Sequence, residues 1–523
     1  MVNCCSKMGA TVRFCSLNPK RSWVALYILF FASVAIGAIV LALLPTPPFL
    51  IDLQPSTNKG LTLAAWALMS MLFGVLAGIG VDSIGYKRIL AFGVIAALFG
   101  VGLQASAVAL HPNPATSPLF WISSVLDSAF LAAVTVSAYS AVASFAGQQI
   151  GRKFGLALAV MATNLGYAVA GLLHAPFVKD AIAREITTDA PVVEHVGTVV
   201  VIVSGAASLC LAIFAVPFIK KNRELAIDAQ IGLISAWHPF GWLAFWRFAA
   251  FAFMLIGAKS ASAYVLYLAP TYLSRVSGVD YDAGMISAIF FAVSGLLAPL
   301  MQVAVTGANP MIIIPLGTSL ASGGIFYMLL ADPTIIGIWG AILAGATVAV
   351  GEALWWPRFL AYASDVSRGE HHTAVFLGLA QTTQYCGLTL AAVLSDVMIE
   401  THCPSPGNDC SVLTWVIPGV VAITQTVIGI VLMRFTFSPN VRSNWRKEVR
   451  DIPTDEEVAR REEELANLHV TLEDSSSSDE SRQRRLQRKY SEFQDYTDSP
   501  RNKSGVSLVS LEEEEVDDDG NPF

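Results

Sequence analysis

The sequence predicts an all-α polytopic membrane protein with twelve transmembrane helices in two six-helix bundles. Three observations carry that prediction. Of 523 residues, 54% are apolar or aromatic and only 14% are charged, against roughly 25% charged in soluble domains. The charges are also segregated: residues 1–437 hold 20 Lys+Arg and 18 Asp+Glu, a net of +2, while residues 438–523 hold 13 and 22, a net of −9. Finally, the apolar residues of the body come in runs of about twenty, the length that spans ~30 Å of hydrocarbon at 1.5 Å per residue.

The runs place helices at 23–44, 60–81, 89–110, 118–145, 154–177 and 197–219, then at 243–270, 283–305, 311–331, 335–361, 373–397 and 412–434. The first opens at Trp23 and closes at Pro45-Thr46-Pro47-Pro48. The second stops before Gly85-Tyr86-Lys87-Arg88, and the third at His111-Pro112-Asn113-Pro114, all strong turn punctuation. Arg152 and Lys153 separate the fourth from the fifth, and Lys220, Lys221 and Arg223 close the sixth. Loop 305–310 follows the eighth, and loop 398–411 joins the last two. The organisation read from this is an N-terminal segment 1–22, a first bundle 23–219, a linker 220–242, a second bundle 243–437 and a mostly disordered acidic tail 438–523. Lys153–Leu172 laid over His372–Ala391 matches small and apolar residues, and the same offset carries the first helix onto the seventh, as expected of a six-span repeat.

Basic residues fix the expected orientation. Lys7, Arg13, Lys20 and Arg21 precede the first span, and Lys87, Arg88, Arg152, Lys153, Lys220, Lys221, Arg223 and Arg368 lie in the even-numbered connections. Lys59, Lys179, Arg184 and Arg275 lie opposite. Both termini are therefore expected in the cytoplasm. The first apolar run is too long for a cleavable secretory signal. Cys403 and Cys410 then face the exterior or a lumen, where they are a candidate disulfide or two unpaired thiols.

Between the second and third spans stands Gly78-Ile79-Gly80-Val81-Asp82-Ser83-Ile84-Gly85-Tyr86-Lys87-Arg88. Gly78 and Gly80 permit close helix approach, Asp82 can accept hydrogen bonds at a helix end or pair with a cation, and Gly85 supplies a tight turn. This stretch resembles the loop signature of the major facilitator superfamily. The resemblance implies the major facilitator fold, alternating access, and a gating latch formed by Gly78, Asp82, Gly85, Lys87 and Arg88. The equivalent loop of the second half, Val305–Pro310, carries neither acid nor base.

A charge inside a span is costly enough to mark function. Asp127, Lys259 and Glu352 lie well inside the fourth, seventh and tenth spans, which line the cavity in the fold the resemblance implies. The two carboxylates are candidate proton or amine sites, and Lys259 is a candidate anchor for a substrate carboxylate or a counter-ion to an acid. Each has a plainer alternative as a structural ion pair or hydrogen-bonded acid. Tyr264 and Tyr267 are candidate substrate contacts, and Trp355 and Trp356 either contact substrate or form an interfacial belt. Arg247 and Arg358 lie near the boundary and are expected to snorkel. Gly351-Glu352-Ala353-Leu354-Trp355-Trp356-Pro357 resembles a stretch of the proton-coupled oligopeptide transporters in which the Glu faces the peptide amino end. Thr163-Asn164-Leu165-Gly166 resembles that family's Asn-x-Gly signature, which implies a substrate contact for Asn164. The first span lacks that family's paired glutamates and Arg, so the resemblance implies a related branch carrying small zwitterions.

The tail offers a capping box at Thr454–Glu457 before Val458–Leu468, serines beside acids as kinase sites, and Tyr490-Ser491-Glu492-Phe493, which matches a tyrosine-based sorting signal for a trafficking adaptor. Cys4 and Cys5 are candidate palmitoylation sites. No phosphate loop, metal-ligand spacing, catalytic set or nucleic-acid-binding stretch stands out, so neither an enzyme nor a cofactor or nucleic acid is expected. The expected function is proton-coupled symport of a small polar or zwitterionic solute, a peptide or amino acid before others, across a plasma or endolysosomal membrane. The alternatives are an uncoupled facilitator of sugars or organic anions and a non-transporting receptor or trafficking partner.

Overall fold

The computed structural model describes residues 19–43, 59–110, 118–145, 149–188, 192–221, 237–277, 283–331, 338–367, 372–403, 410–437 and 439–450. The first bundle contains α1 (Pro19–Leu43), α2 (Lys59–Ile84), α3 (Tyr86–Leu110), α4 (Pro118–Phe145), α5 (Gln149–Thr188) and α6 (Val192–Lys221). A 3₁₀ turn at His238–Gly241 leads into the second bundle. There α7 comes in two segments (Leu243–Met254 and Ile256–Ser277), followed by α8 (Ala283–Ala304), α9 (Pro310–Gly324), α10 (Ile338–Val366), α11 (Thr373–His402) and α12 (Leu413–Thr436). The described residues thus contain the twelve helices expected of the body. Nine stretches among them are long and apolar enough to cross a membrane, and Trp23–Ala38 and Val201–Pro217 are shorter apolar stretches of the same kind.

Local chemistry explains where the helices depart from regularity. The Leu255 N–H bonds back to both Phe251 O at 3.2 Å and Ala252 O at 3.1 Å, so α7 tightens for one residue, a turn before Lys259. Asn309 caps α9 by accepting from the Met311 N–H at 2.9 Å, with Pro310 at the first helical position, where its missing donor costs nothing. The end of α9 winds into a 3₁₀ turn at Ile325–Leu330. One helix lies in the segment read as disordered tail: α13 (Pro439–Arg450). It buries Val441, and its Trp445 Nε1 donates to Gly307 O at 3.1 Å. The helix expected at Val458–Leu468, the sorting motif at Tyr490 and Phe493, and Cys4 and Cys5 lie outside the described residues.

Packing follows a rule of six. α1 packs on α4, α5 and α6, and α7 on α10, α11 and α12; α3 packs on α4 and α6, and α9 on α10 and α12; α2 packs on α4, and α8 on α10. Between the bundles, α2 packs on α11 and α5 on α8, while α4 touches α11 and α10 touches α5. Burial separates interior from rim: 83% of the Val125–Ala143 stretch of α4 is buried, against 33% in α3 and in α12. The exposed face of α3 carries Phe92, Ile95 and Phe99, an apolar surface suited to lipid rather than water.

Candidate functional site

The loop after α2 is built by its own residues. Gly85 has φ 94°, a conformation open to glycine at little cost, and its N–H bonds to Val81 O at 2.9 Å. That reversal points Asp82 across the bundle boundary. Its carboxylate accepts hydrogen bonds from the backbone N–H of Ala374 at 3.2 Å and of Val375 at 2.9 Å. These are donors in the first turn of α11, which have no partner inside the helix and carry its positive dipole end. The two helices touch closely here: a Cβ on Gly78 would lie 2.6 Å from Ala374 O and 2.8 Å from the Val375 Cα. Lys87 is buried and Arg88 is exposed.

A second junction lies deeper. Lys259 of α7 donates to Oε1 of Glu352 on α10, and both side chains are buried. The Lys259 ammonium also sits 4.3 Å from the centre of the Trp356 ring, a favourable position over an aromatic face. Gly387 admits α11 to this spot, since a Cβ there would lie 3.0 Å from the Lys259 Cβ and the Ser260 N. Burying either charge alone costs several kcal/mol, so each ion is held by the other. Glu352 Oε2 is buried without a hydrogen-bond partner among the described residues.

Neutral polar and aromatic groups make further links within and between the bundles. Asn164 Nδ2 donates to Ser294 Oγ at 3.1 Å, joining α5 to α8. The Tyr139 hydroxyl and Thr163 Oγ1 share a 2.9 Å hydrogen bond. Gln384 Nε2 reaches the Tyr167 hydroxyl at 3.5 Å, and the Tyr167 ring packs 5.0 Å from that of Phe291.

Of the three intramembrane charges singled out in the sequence, Lys259 and Glu352 meet and Asp127 stands apart. Asp127 faces α3, where a Cβ on Gly100 would lie 2.8 Å from its own Cβ. Its carboxylate is fully buried, with no hydrogen-bond partner among the described residues. Helix geometry accounts for the separation: twelve residues at 3.6 per turn leave Asp127 about 120° around α4 from Tyr139, which faces the centre. Tyr264 is buried beside Ser260, and the side chain of Tyr267 lies outside the described residues. Trp355 and Trp356 are interior rather than interfacial. Arg358, expected to snorkel, instead is buried and donates to Val305 O at 3.3 Å and Ala308 O at 2.8 Å; carbonyls at the end of α8 are closer acceptors than water. Arg247 is exposed. Cys403 and Cys410 are joined in a disulfide.

Sequence reasoning missed Tyr139, Thr163, Gln381 and Gln384, because neutral polar residues in a span carry no cost large enough to stand out. It also missed Asp365, at the end of α10, which lies 3.9 Å from Arg152 of α5 and accepts from Asn444 Nδ2 of α13 at 3.2 Å.

Residues 24–392 match the family model of the Major Facilitator Superfamily. Among solved structures, the chain is similar to the major facilitator superfamily transporter FucP in the outward conformation. The TM-score is 0.52 at 15% identity, covering 81% of this chain and 99% of that one. No curated protein matches. The fold and its packing are those of membrane transporters that work by alternating access, and the chain belongs to the major facilitator superfamily.

Proposed function

We propose that this chain is a proton-coupled symporter of a small zwitterionic solute, a peptide or amino acid. The observation that carries this reading is the Lys259–Glu352 pair, buried where α7, α10 and α11 meet, with one carboxylate oxygen left over. The pair is a closed circuit of two charges, and a zwitterion can open it without leaving either charge alone. The substrate ammonium takes Glu352 and the substrate carboxylate takes Lys259, so the net charge of the centre is unchanged. A proton opens it differently, adding one positive charge and leaving a neutral Glu352 carboxyl whose carbonyl oxygen can still accept a hydrogen bond from the substrate ammonium. Protonating Glu352 removes its attraction for Lys259 and frees the ammonium for an incoming carboxylate, which links proton uptake to substrate binding.

The geometry at Asp82 supports its role as the gate. Its two hydrogen bonds to α11 form only when α2 and α11 are together, so they favour the state closed on that face. With the termini in the cytoplasm this face is the inner one, and the tyrosine motif and serines of the tail sequence would be read there by an adaptor or kinase at a plasma or endolysosomal membrane. Uptake of dipeptides and amino acids into proteoliposomes under an imposed inward proton gradient tests the reading. Accumulation should follow the gradient and be lost in Glu352→Gln, with the protein still folded. Accumulation that ignores the gradient in the unsubstituted protein would identify an uncoupled facilitator, and gradient-driven uptake that survives Glu352→Gln would remove Glu352 from the coupling.

A further inference from the structure

Glu352 and Trp356 stand four residues apart on α10, a spacing that places them on one face of the helix, a turn from each other. Lys259 of α7 reaches both: it donates to Glu352 Oε1, and its ammonium lies 4.3 Å from the centre of the indole ring. Among the described residues these are its two partners, one charged and one neutral. The Trp356 side chain is buried, at 2% exposure, and it is held by other rings. It packs 5.2 Å from the ring of Trp355 and 5.7 Å from that of Phe359. Phe359 in turn stacks on Phe248 of α7 at 5.7 Å, with the planes 18° apart. The indole is thus fixed by packing that does not depend on the charges beside it.

We propose that Trp356 is a positioning residue: its π face retains the Lys259 ammonium at the centre while Glu352 is engaged by a proton or by a substrate ammonium. This rests on the reading of Lys259–Glu352 as the pair that a proton and a zwitterion open. A proton on Glu352 cancels the charge that compensates Lys259, and a substrate ammonium draws that charge to itself. Until the substrate carboxylate arrives, Lys259 is then a buried cation without a counter-ion, a state costly enough to oppose opening the pair. An aromatic face offsets such a charge most where water is excluded, and indole does so better than the rings of Tyr or Phe. Neutrality is what suits the ring to this task. A second carboxylate in its place would close a new ion pair and shut the substrate out, whereas the ring leaves Lys259 able to pair. Because acid and ring share one face of α10, the ammonium passes between them by a change of its own rotamer, with α7 and α10 in place.

The test varies the electrostatics of the ring at nearly constant shape. Mono-, di-, tri- and tetrafluorotryptophan are placed at position 356 of the full-length protein by nonsense suppression, and each fluorine withdraws π density and weakens the attraction for a cation. Melting temperatures are then compared between two backgrounds. In Glu352→Gln, which leaves the ring as the partner that offsets Lys259, the temperature should fall with each fluorine, by roughly 1–3 °C across the series. With Lys259→Met added to Glu352→Gln there is no cation, and the series should be flat. No trend in Glu352→Gln, or an equal trend without Lys259, assigns the ring to packing and overturns the proposal. Proton-driven uptake of L-alanyl-L-alanine into proteoliposomes is the second measurement and leaves Glu352 unchanged. Uptake should fall roughly three- to thirtyfold along the series, and uptake indifferent to fluorine overturns the proposal as well. The unsubstituted protein separates this from the symport reading: if it takes up neither dipeptide nor amino acid, that reading fails, and the melting series still decides whether Trp356 holds Lys259.

Discussion

Replacing Asp82 with Ala removes the acceptor for two backbone donors of α11 while leaving α2 otherwise intact. The magnitude follows from the contact. The Ala374 and Val375 N–H groups sit at 3.2 and 2.9 Å from the two carboxylate oxygens, in a site where Asp82 is 7% exposed. Hydrogen bonds to a charged group contribute about 1.5–3 kcal/mol each, and orphaned buried donors cost about 1–3 kcal/mol. In the open state water satisfies both partners, so only the closed state loses stability. Because the two bonds share one carboxylate and are not additive, a combined loss of about 2–4 kcal/mol is expected, a roughly 30- to 700-fold shift toward the open state. Spin labels at Arg88 and Arg446, both exposed, report the separation by pulsed electron resonance in a background without the other free cysteines. The variant should gain a long-distance population and lose gradient-driven turnover. Asp82→Asn, which can still accept one bond, should fall between the two. A distance distribution and turnover rate both equal to those of the parent would refute the latch.

Gly78→Val should act in the same direction as Asp82→Ala, because its side chain would collide with the α11 backbone at Ala374 and Val375; Gly102→Ala, which meets nothing within 4 Å, is the neutral control in the same labelling assay. Lys259→Met or Glu352→Leu alone should lower stability by about 3–5 kcal/mol by stranding a buried charge, and the double variant should recover most of it; melting temperatures that fall additively would contradict mutual compensation. Asn444→Ala and Trp445→Phe each remove one hydrogen bond that docks α13 and should cost about 1 kcal/mol. The measurable result is faster amide exchange at the end of α10, and unchanged protection there would show that α13 does not brace it.

The spans were legible because hydrocarbon imposes its thickness on the sequence; α4 runs over the predicted 118–145. Boundaries drifted where helices continue past the apolar run, as α5 does to Gln149 and Thr188 and α11 to His402. Asp82 was legible through the glycines that its turn and its helix contact need, and Lys259 and Glu352 through the cost of burying charge. The phase of each helix was not legible. In a soluble helix the polar face announces the outside, but here lipid-facing and protein-facing surfaces are both apolar. Asp127 therefore gave no sign that it lies about a third of a turn from the central face of α4. Gln381 and Tyr139 escaped for the same reason, as neutral groups among many. Pro439–Arg450 reads as polar tail by composition, and it is tertiary contacts, among them the burial of Val441, the carbonyl at Gly307 and the carboxylate at Asp365, that make it a docked helix.

The missing acid in loop 305–310 has a structural answer that follows from the six-span repeat. The counterpart of the α11 N-terminus, which Asp82 holds, is the N-terminus of α5, and Arg152 stands there. The acid facing it comes from the end of α10, Asp365, at 3.9 Å. The loop itself turns through Gly307, at φ 76°, and its carbonyls are taken by Arg358 and Trp445. A cross-bundle link therefore exists on both sides of the pseudo-twofold, but the two differ in strength. Arg152 is about a fifth exposed and Asp365 is buried, and at 3.9 Å the pair is too long for a hydrogen bond, which makes it weaker than the two charge-assisted bonds of Asp82 at 2.9 and 3.2 Å. The inner face should consequently open first between α5 and α10, with α2 and α11 parting last. Native-state hydrogen exchange resolves the order: faster exchange at the start of α5 than at the start of α11 agrees with it, and the reverse would mean that α13, not Asp82, holds the stronger half of the gate.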